Sequence, residues 1–221
     1  MATTISINNY MDHLSELTFA DYCRLISISK GNRKTGAIRS LSTPPYITCD
    51  PGLHCYKACY AARMKNYAPS TITAWTRNLE LYKNNPQMYW DAVEYLTVTD
   101  ACFRYSVGGD IVDNYYFERM CTTAETNVQC DYLVFTKKYG LVNKVLDYRE
   151  QPDNLQILFS VDFEQAEPDN PHKLPLVHVV DSLEDIPEDW IVCGGNCTEC
   201  RCRNTGCWTL KAGQHLAILK H

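Results

Sequence analysis

The sequence predicts an α/β protein, folded as a partial (incomplete) TIM-like barrel with mostly parallel strands and a Cys-rich C-terminal loop. Near-continuous apolar strands alternate with helices in the second half of the chain, which is typical of a parallel sheet covered on both faces. The last strands follow one another with too little room for full helices. The 221 residues are also fewer than the about 250 of a complete eight-fold barrel. This length predicts a single domain over residues 1–221.

The first half of the chain is predicted to be mainly helical. A short helix is expected around residues 11–17, and residues 22–29 (YCRLISIS) alternate in hydropathy and are predicted to form a strand. A basic loop at 30–42 leads into a second short strand. Two amphipathic helices follow, one capped by Ser70 and one opened by Pro86.

The second half of the chain supplies the parallel sheet. The expected strands are residues 101–107, 131–136, 155–161, 174–180, 189–193 and 215–220. Helices are expected at 111–128 and 138–148, and a polar, proline-rich surface loop at 164–175. Strand–helix–strand units of this length predict right-handed crossovers between neighbouring parallel strands.

Composition excludes several classes of protein. No stretch approaches the about 18 apolar residues of a membrane-spanning helix, and the N-terminal sequence lacks the pattern of a secretory signal. The net charge of −5 provides no broad cationic face for nucleic acid. We therefore expect a soluble, cytoplasmic protein without a membrane or nucleic-acid partner.

The 12 cysteines divide into two kinds. Four stand alone among apolar or helical neighbours and are predicted to be core thiols; they are Cys23, Cys102, Cys121 and Cys130. The other eight fall into dense groups at residues 49–59 and 193–207. A chain of this length does not need disulfides, and dense thiols in a reducing compartment are typical of metal-binding or catalytic sites.

The two dense groups are predicted to bind metal. The first has the spacing C-x5-C-x3-C and consists of Cys49, Cys55 and Cys59. The second has the spacing C-x3-C-x2-C-x-C-x4-C and consists of Cys193, Cys197, Cys200, Cys202 and Cys207. Three glycines provide the sharp turns that such a loop needs; they are Gly194, Gly195 and Gly206.

The identity of the metal is open between iron–sulfur and zinc. Four thiolates suit tetrahedral zinc or an iron–sulfur cluster equally well by count. Paired C-x2-C knuckles, the usual zinc arrangement, are not present, and three thiolates would leave one iron of a [4Fe-4S] cluster free. Eight thiols would hold two such clusters, or one cluster and a structural zinc. The count favours iron–sulfur.

Polar residues at the carboxyl ends of the predicted strands form a second candidate site. Ligands bind at this edge of parallel sheets. The residues are Gly108, Gly109 and Asp110 after one strand, Thr136 and Lys137 after the next, then Ser160, Asp162 and Asp181. We expect Gly108 to Asp110, with Thr136 and Lys137, to bind a small-molecule cofactor. The same residues also fit an ordinary turn and a solvated lysine.

Four sequence segments resemble one known family. They are TCDPGLHCYKACYA (48–61), FRYSVGGDI (103–111), FTKKY (135–139) and the tail CTECRCRNTGCW followed by GQHLAILKH. In their order they are similar to the gene-product-88-like family of mostly phage-encoded proteins. The resemblance implies iron–sulfur cluster binding in the host cytoplasm and an architecture related to radical S-adenosylmethionine (SAM) barrel enzymes.

The resemblance also implies roles for particular residues. The first thiol group would match the family's first cysteine motif. Cys193, Cys200 and Cys207 would match the second, completed by Cys197 or Cys202. Gly108 to Asp110 resemble the Gly-Gly-Glu element that holds the methionine amine of SAM. The chain departs from the radical-SAM pattern in having C-x5-C-x3-C in place of C-x3-C-x2-C, and Asp in place of Glu.

The functional expectation is an iron–sulfur protein of phage type. It would act as a redox carrier with a redox partner or as a radical-SAM-like enzyme. The alternative is a zinc-stabilised binding module acting on nucleic acid or a host protein, supported by the basic loop and by Arg201 and Arg203. A cysteine hydrolase would depend on His54 beside Cys55, which do not face each other on a helix. His215 and His221 are further ligand candidates, although surface histidines are commoner.

Overall fold

One mixed sheet organises the molecule. The computed structural model describes residues 6–7, 9–51, 55, 59–162, 166–184 and 186–219. The strands are β1 (Ile28–Ser29), β2 (Arg39–Leu41), β3 (Cys102–Tyr105), β4 (Asp131–Thr136), β5 (Leu155–Asp162), β6 (Leu176–Val180), β7 (Ile191–Val192) and β8 (His215–Leu219). They pair in the order β1-β2-β3-β4-β5-β6-β8-β7. Only the β1–β2 pair is antiparallel among the described residues.

The helices precede the sheet or connect its strands. They are α1 (Phe19–Leu25), α2 (Tyr60–Tyr67), α3 (Pro69–Asn84), α4 (Pro86–Thr97), α5 (Asn114–Thr126), α6 (Tyr139–Leu146) and α7 (Cys197–Cys202), with 3₁₀ helices at Tyr10–Glu16 and Gly206–Trp208. Proline opens α3 and α4, where its missing N–H costs nothing. Within the part of the chain that the structure describes, no helix is long and apolar enough to cross a bilayer.

The predicted α/β class with a mostly parallel sheet is confirmed. From β2 to β6 each strand lies beside its successor in the sequence, and α5 and α6 connect parallel neighbours. The described sheet is open, with β1 and β7 at its edges. Both edge strands are only two residues long, which limits the unpaired backbone that they expose.

The predicted strand over residues 22–29 was wrong in extent, because residues 22–25 are helical and only Ile28–Ser29 form a strand. Thr18 caps α1: its side chain accepts from the Asp21 backbone N–H, and the Asp21 carboxylate accepts from the Thr18 backbone N–H. This reciprocal capping box satisfies two N–H groups at the start of the helix. The β-branched residues come only after Leu25, and they form the short strand β1.

The two faces of the sheet are covered by different parts of the chain. On the face that we call the helix face, Phe103, Tyr105, Tyr132 and Val134 pack with residues of α1 and α3 to α6. On the opposite face, called the tail face, strand residues pack with the C-terminal segment. These residues are Leu133, Leu158, Val177, Leu216 and Ile218, packed with Leu210, Cys193, Cys207 and Trp208. The cysteine-rich tail therefore covers the sheet face that the helices leave open.

Candidate metal centres

The first thiol group lies at the carboxyl ends of β3, β4 and β5. The backbone N–H of Cys55 donates to Asp162 Oδ2 over 3.0 Å at the end of β5. The pKa of Cys49 is raised to about 12, chiefly by burial and in addition by the charges of Asp110, Cys59 and Cys55. Cys49, Cys55 and Cys59 therefore lie close enough to interact electrostatically.

A largely buried ion pair stands beside this group. Lys137 Nζ donates to Asp162 Oδ1 over 3.1 Å and to the Ser160 carbonyl over 3.0 Å. Burial raises the pKa of the Cys55 thiol, the Lys137 charge lowers it, and Asp162 raises it. Lys137 thus brings a positive charge to the edge of the sheet where the first thiol group lies.

The Asp110 carboxylate joins the ends of β3 and β4. Its Oδ1 accepts from Thr136 Oγ1 over 2.6 Å and from the Ile111 N–H over 2.8 Å. Its Oδ2 accepts from the Lys137 N–H over 2.9 Å. Burial raises the pKa of this carboxyl group, and the hydrogen bonds from Thr136 and Lys137 oppose the rise. Most of its accepting capacity is therefore used within the protein.

Gly109, immediately before Asp110, lies in close contact with the segment that carries Cys49. Gly109 has a φ of +73°, and a Cβ there would lie 2.3 Å from Thr43 Oγ1. The Asp110 N–H donates to Thr48 Oγ1 over 3.0 Å, and Thr48 immediately precedes Cys49. Gly109 thus allows residues 43–48 to pack directly on the end of β3, whereas the missing Cβ of Gly108 makes room for Trp75.

The tail thiols converge over the tail face, with one exception. The pKa of Cys207 is raised to about 12, chiefly by burial; Cys193, Cys197 and Cys200 contribute to the rise, and Arg104 opposes it. Four tail thiols are therefore neighbours: Cys193, Cys197, Cys200 and Cys207. Cys202 is exposed, and it acts electrostatically on Cys102 in β3.

Two glycines of the tail, Gly194 and Gly206, lie next to the Cys200 sulfur. A Cβ on Gly194 or on Gly206 would lie 3.4 Å from the Cys200 sulfur, and Gly206 has a φ of +64°. Burial raises the pKa of Cys200, and a hydrogen bond with the Gly194 backbone lowers it. Such a contact favours the thiolate, the form of cysteine that binds metal.

Arg104 is a site residue that the sequence analysis missed. Its Nη1 donates to the Cys197 sulfur over 3.1 Å, and its guanidinium lies 4.8 Å from the centre of the Phe135 ring. The side chain is on the tail face and is buried, and its Nε has no hydrogen-bond partner among the described residues. A charged residue in the middle of an apolar strand was the signal that pointed to it.

The two thiol groups are neighbours across Tyr60. The Tyr60 hydroxyl donates to the Val107 carbonyl. Burial raises the pKa of this hydroxyl, Arg104 lowers it, and Cys59, Cys49 and Cys197 raise it. Tyr60 thus interacts with thiols of both groups.

The basic loop supports α7. The Cys197 N–H donates to the Lys34 carbonyl over 2.9 Å, and the Ala37 N–H donates to Thr198 Oγ1 over 2.9 Å. Two of the basic side chains that supported the nucleic-acid hypothesis form ion pairs with carboxylates of the same chain. Arg39 pairs with Asp100 and Arg201 with Asp131.

In the part of the chain that the structure describes, no three thiols have all their sulfur atoms within 4.8 Å of one another. Among the described residues, one group of three metal-ligating side chains has all its donor atoms within 4.8 Å of one another, and it contains no cysteine. Its members are Glu167, His178 and His215. The proposed hydrolase histidine, His54, and the candidate ligand His221 lie outside the described residues.

A comparison with known protein families identifies the family of the chain. A family model described as Gene product 88 matches residues 21–217. No curated protein and no solved structure matches the chain.

Proposed function

The chain belongs to the gene product 88 family, and from this we propose that it is an iron–sulfur protein of phage type that transfers electrons. In this proposal Cys49, Cys55 and Cys59 hold a [4Fe-4S] cluster at the carboxyl edge of the sheet. The sheet itself is interpreted as an open, partial barrel, because β2 to β6 follow one another in sequence order.

The spacing of the thiols carries the proposal. Thiolates on one tetrahedral zinc, with Zn–S bonds of about 2.3 Å, lie about 3.8 Å apart. No three cysteine sulfurs among the described residues lie within 4.8 Å of one another. In an iron–sulfur cluster each thiolate binds a different iron, so the ligands are farther apart. The wider spacing supports a cluster over a single zinc ion.

The surroundings of the thiols also suit a cluster. Cys49 and Cys207 are partly buried, and the pKa of each is raised to about 12, so each thiol loses its proton only when a metal replaces it. Lys137 and Arg104 bring positive charge to the two groups and would offset the negative charge of bound thiolates. When bound, the clusters would supply one-electron redox chemistry.

The tail thiols are proposed to hold a second centre. Cys193, Cys197, Cys200 and Cys207 provide four ligands, so this centre would have no open position. Tyr60 interacts with thiols of both groups, which supports electron exchange between the two centres. A redox partner would deliver or remove the electrons.

A radical-SAM-like enzyme is the second candidate. Three thiols beside the carboxyl ends of parallel strands favour it, because three ligands leave one iron free. The Asp110 carboxylate, however, already accepts three hydrogen bonds from the protein, so it does not fit the role of holding a methionine amine. Formation of 5′-deoxyadenosine from SAM by the reduced protein would select this candidate over electron transfer.

Electron paramagnetic resonance (EPR) of anaerobically purified protein tests the proposal. After reduction with dithionite we expect the signals of reduced [4Fe-4S] clusters. The variant Cys55→Ser should lose the signal of the first centre and keep that of the second. Protein that is colourless, silent in EPR and loaded with stoichiometric zinc would refute the iron–sulfur assignment and select the zinc-stabilised binding module.

A further inference from the structure

Two histidines meet on the face of the sheet opposite the tail thiols. His178 is in β6 and His215 is the first residue of β8. The parallel register pairs Leu176 with His215 and His178 with Ala217, so the two histidines are diagonal neighbours on one face. Leu176 belongs to the core cluster of the helix face, and His178, two residues along the strand, shares that face.

Their ring nitrogens and one carboxylate lie close together. His178 Nε2 is 3.0 Å from His215 Nδ1, which is 4.0 Å from Glu167 Oε1. With metal–nitrogen bonds of about 2.0–2.1 Å, two imidazoles on one ion have nitrogens about 2.9–3.4 Å apart. The observed separation of the two ring nitrogens therefore already matches that of a shared metal ion.

The two rings are held in place by packing. The Trp190 ring stacks on His178 with centroids 4.0 Å apart and on His215 with centroids 5.1 Å apart. His178 is buried, and burial, together with the neighbouring His215, lowers the pKa of His178 to about 4. Glu167 is exposed and leaves the third side of the site open to solvent.

We propose that Glu167, His178 and His215 bind a divalent transition-metal ion of the zinc class. Two imidazoles and one carboxylate are a ligand set that zinc uses, with a further position left for water. The site shares no residue with the thiol groups and does not depend on the proposed iron–sulfur function. A hydrogen bond between the two imidazoles, together with an ion pair between His215 and Glu167, would hold the same three side chains without a metal, and zinc binding distinguishes the two cases.

Equilibrium dialysis of the anaerobically purified protein against Zn²⁺ tests the site. We expect wild-type protein to bind one more zinc per chain than His178→Ala or His215→Ala. The control is His172→Ala, because His172 contacts Asp147 and Asn143 and lies outside the proposed site; it should bind as much zinc as wild type. Zinc already held by thiols is common to all these proteins and cancels in the comparison.

The variant Glu167→Gln distinguishes the loss of a zinc ligand from a loss of zinc binding that is caused by misfolding. Glu167 is exposed, so this variant should fold as wild type does while binding zinc about tenfold or more weakly. X-ray absorption at the zinc edge should show nitrogen and oxygen ligands that disappear in His178→Ala. Equal zinc stoichiometry in wild type and His178→Ala, or unchanged zinc affinity in Glu167→Gln, would overturn the proposal.

Discussion

Arg104 donates a hydrogen bond to the Cys197 sulfur over 3.1 Å, and so connects the middle of the sheet to the tail thiols. The guanidinium is always charged, and it lies in a buried position on the tail face. A charge-assisted hydrogen bond of this kind stabilises a thiolate over a thiol. Arg104 is therefore suited to offset the negative charge of the centre that Cys197 is proposed to help hold, and to tune the reduction potential of that centre.

Replacing Arg104 should lower the reduction potential of the tail centre. The variant Arg104→Gln replaces a charged hydrogen-bond donor to Cys197 with a neutral one. The lost charge contributes about 1.5 kcal/mol, which corresponds to a change in reduction potential of about 60 mV for one electron. Hydrogen bonds to the sulfurs raise the potential of such centres, so the shift should be negative. A potentiometric titration followed by EPR measures it. Arg119→Gln is the control, because Arg119 pairs with Asp91 away from the thiols. Equal reduction potentials in Arg104→Gln and wild type would contradict the assignment of Cys197 as a ligand of the tail centre.

Adding one methyl group at Gly109 should disturb the first thiol group. A Cβ there would meet Thr43 at 2.3 Å with φ at +73°, so Gly109→Ala must displace residues 43–48. We expect a loss of stability of about 1–2 kcal/mol and a lower iron content. Gly140→Ala is the matched control, since nothing lies within 4 Å of a Cβ at that position. Iron analysis and urea unfolding of both variants test this; full iron content in Gly109→Ala would show that the glycine does not position Cys49.

Four of the tail cysteines should behave as metal ligands, and Cys202 should not. Cys200→Ser removes a thiol that interacts with Cys193 and Cys197, so iron content and melting temperature should both fall. Cys202→Ser should match wild type in both, because Cys202 is exposed and lies nearer Cys102. Parallel iron analysis and thermal unfolding make the comparison. Equal losses in the two variants would mean that Cys202 is also a ligand.

Metal binding to the apoprotein should release protons at pH 7. The pKa values of Cys49 and Cys207 are raised to about 12, so both thiols are protonated at pH 7 and each gives up a proton when it binds a metal. Affinity should therefore rise with pH and fall in acid. Calorimetry of Cd²⁺ binding in buffers of different ionisation enthalpy counts the protons. Release of no protons would show that these thiols are not ligands.

Hydropathy periodicity was enough to predict the sheet but not the first helix. The predicted strand at 131–136 matches β4, because a continuous apolar run bounded by polar residues permits little else. Residues 22–29 alternate in hydropathy, but a capping box formed by Thr18 and Asp21 just before them starts a helix that runs to Leu25. The local hydrogen bonds of the cap determine the structure there, and the β-branched residues form only the last two-residue strand.

The sequence could identify the thiol groups but not their members or surroundings. Spacing left all five tail cysteines as candidates, and the family resemblance left Cys197 and Cys202 as alternatives, because the direction in which each side chain points depends on how α7 packs on the tail face. Arg104 was missed because its contact with Cys197 joins residues 93 positions apart. Gly108 and Gly109 suggested a ligand cradle, whereas their neighbours Trp75 and Thr43 come from other parts of the chain.

Iron and acid-labile sulfide, counted per chain in protein purified without oxygen, test the central claim most directly. The account predicts a brown protein with iron and sulfide in equal amounts, about four of each for every cluster. In the variant Cys55→Ser both counts should fall together by one cluster. A wild-type protein that contains no acid-labile sulfide and holds zinc on its thiols would contradict the account.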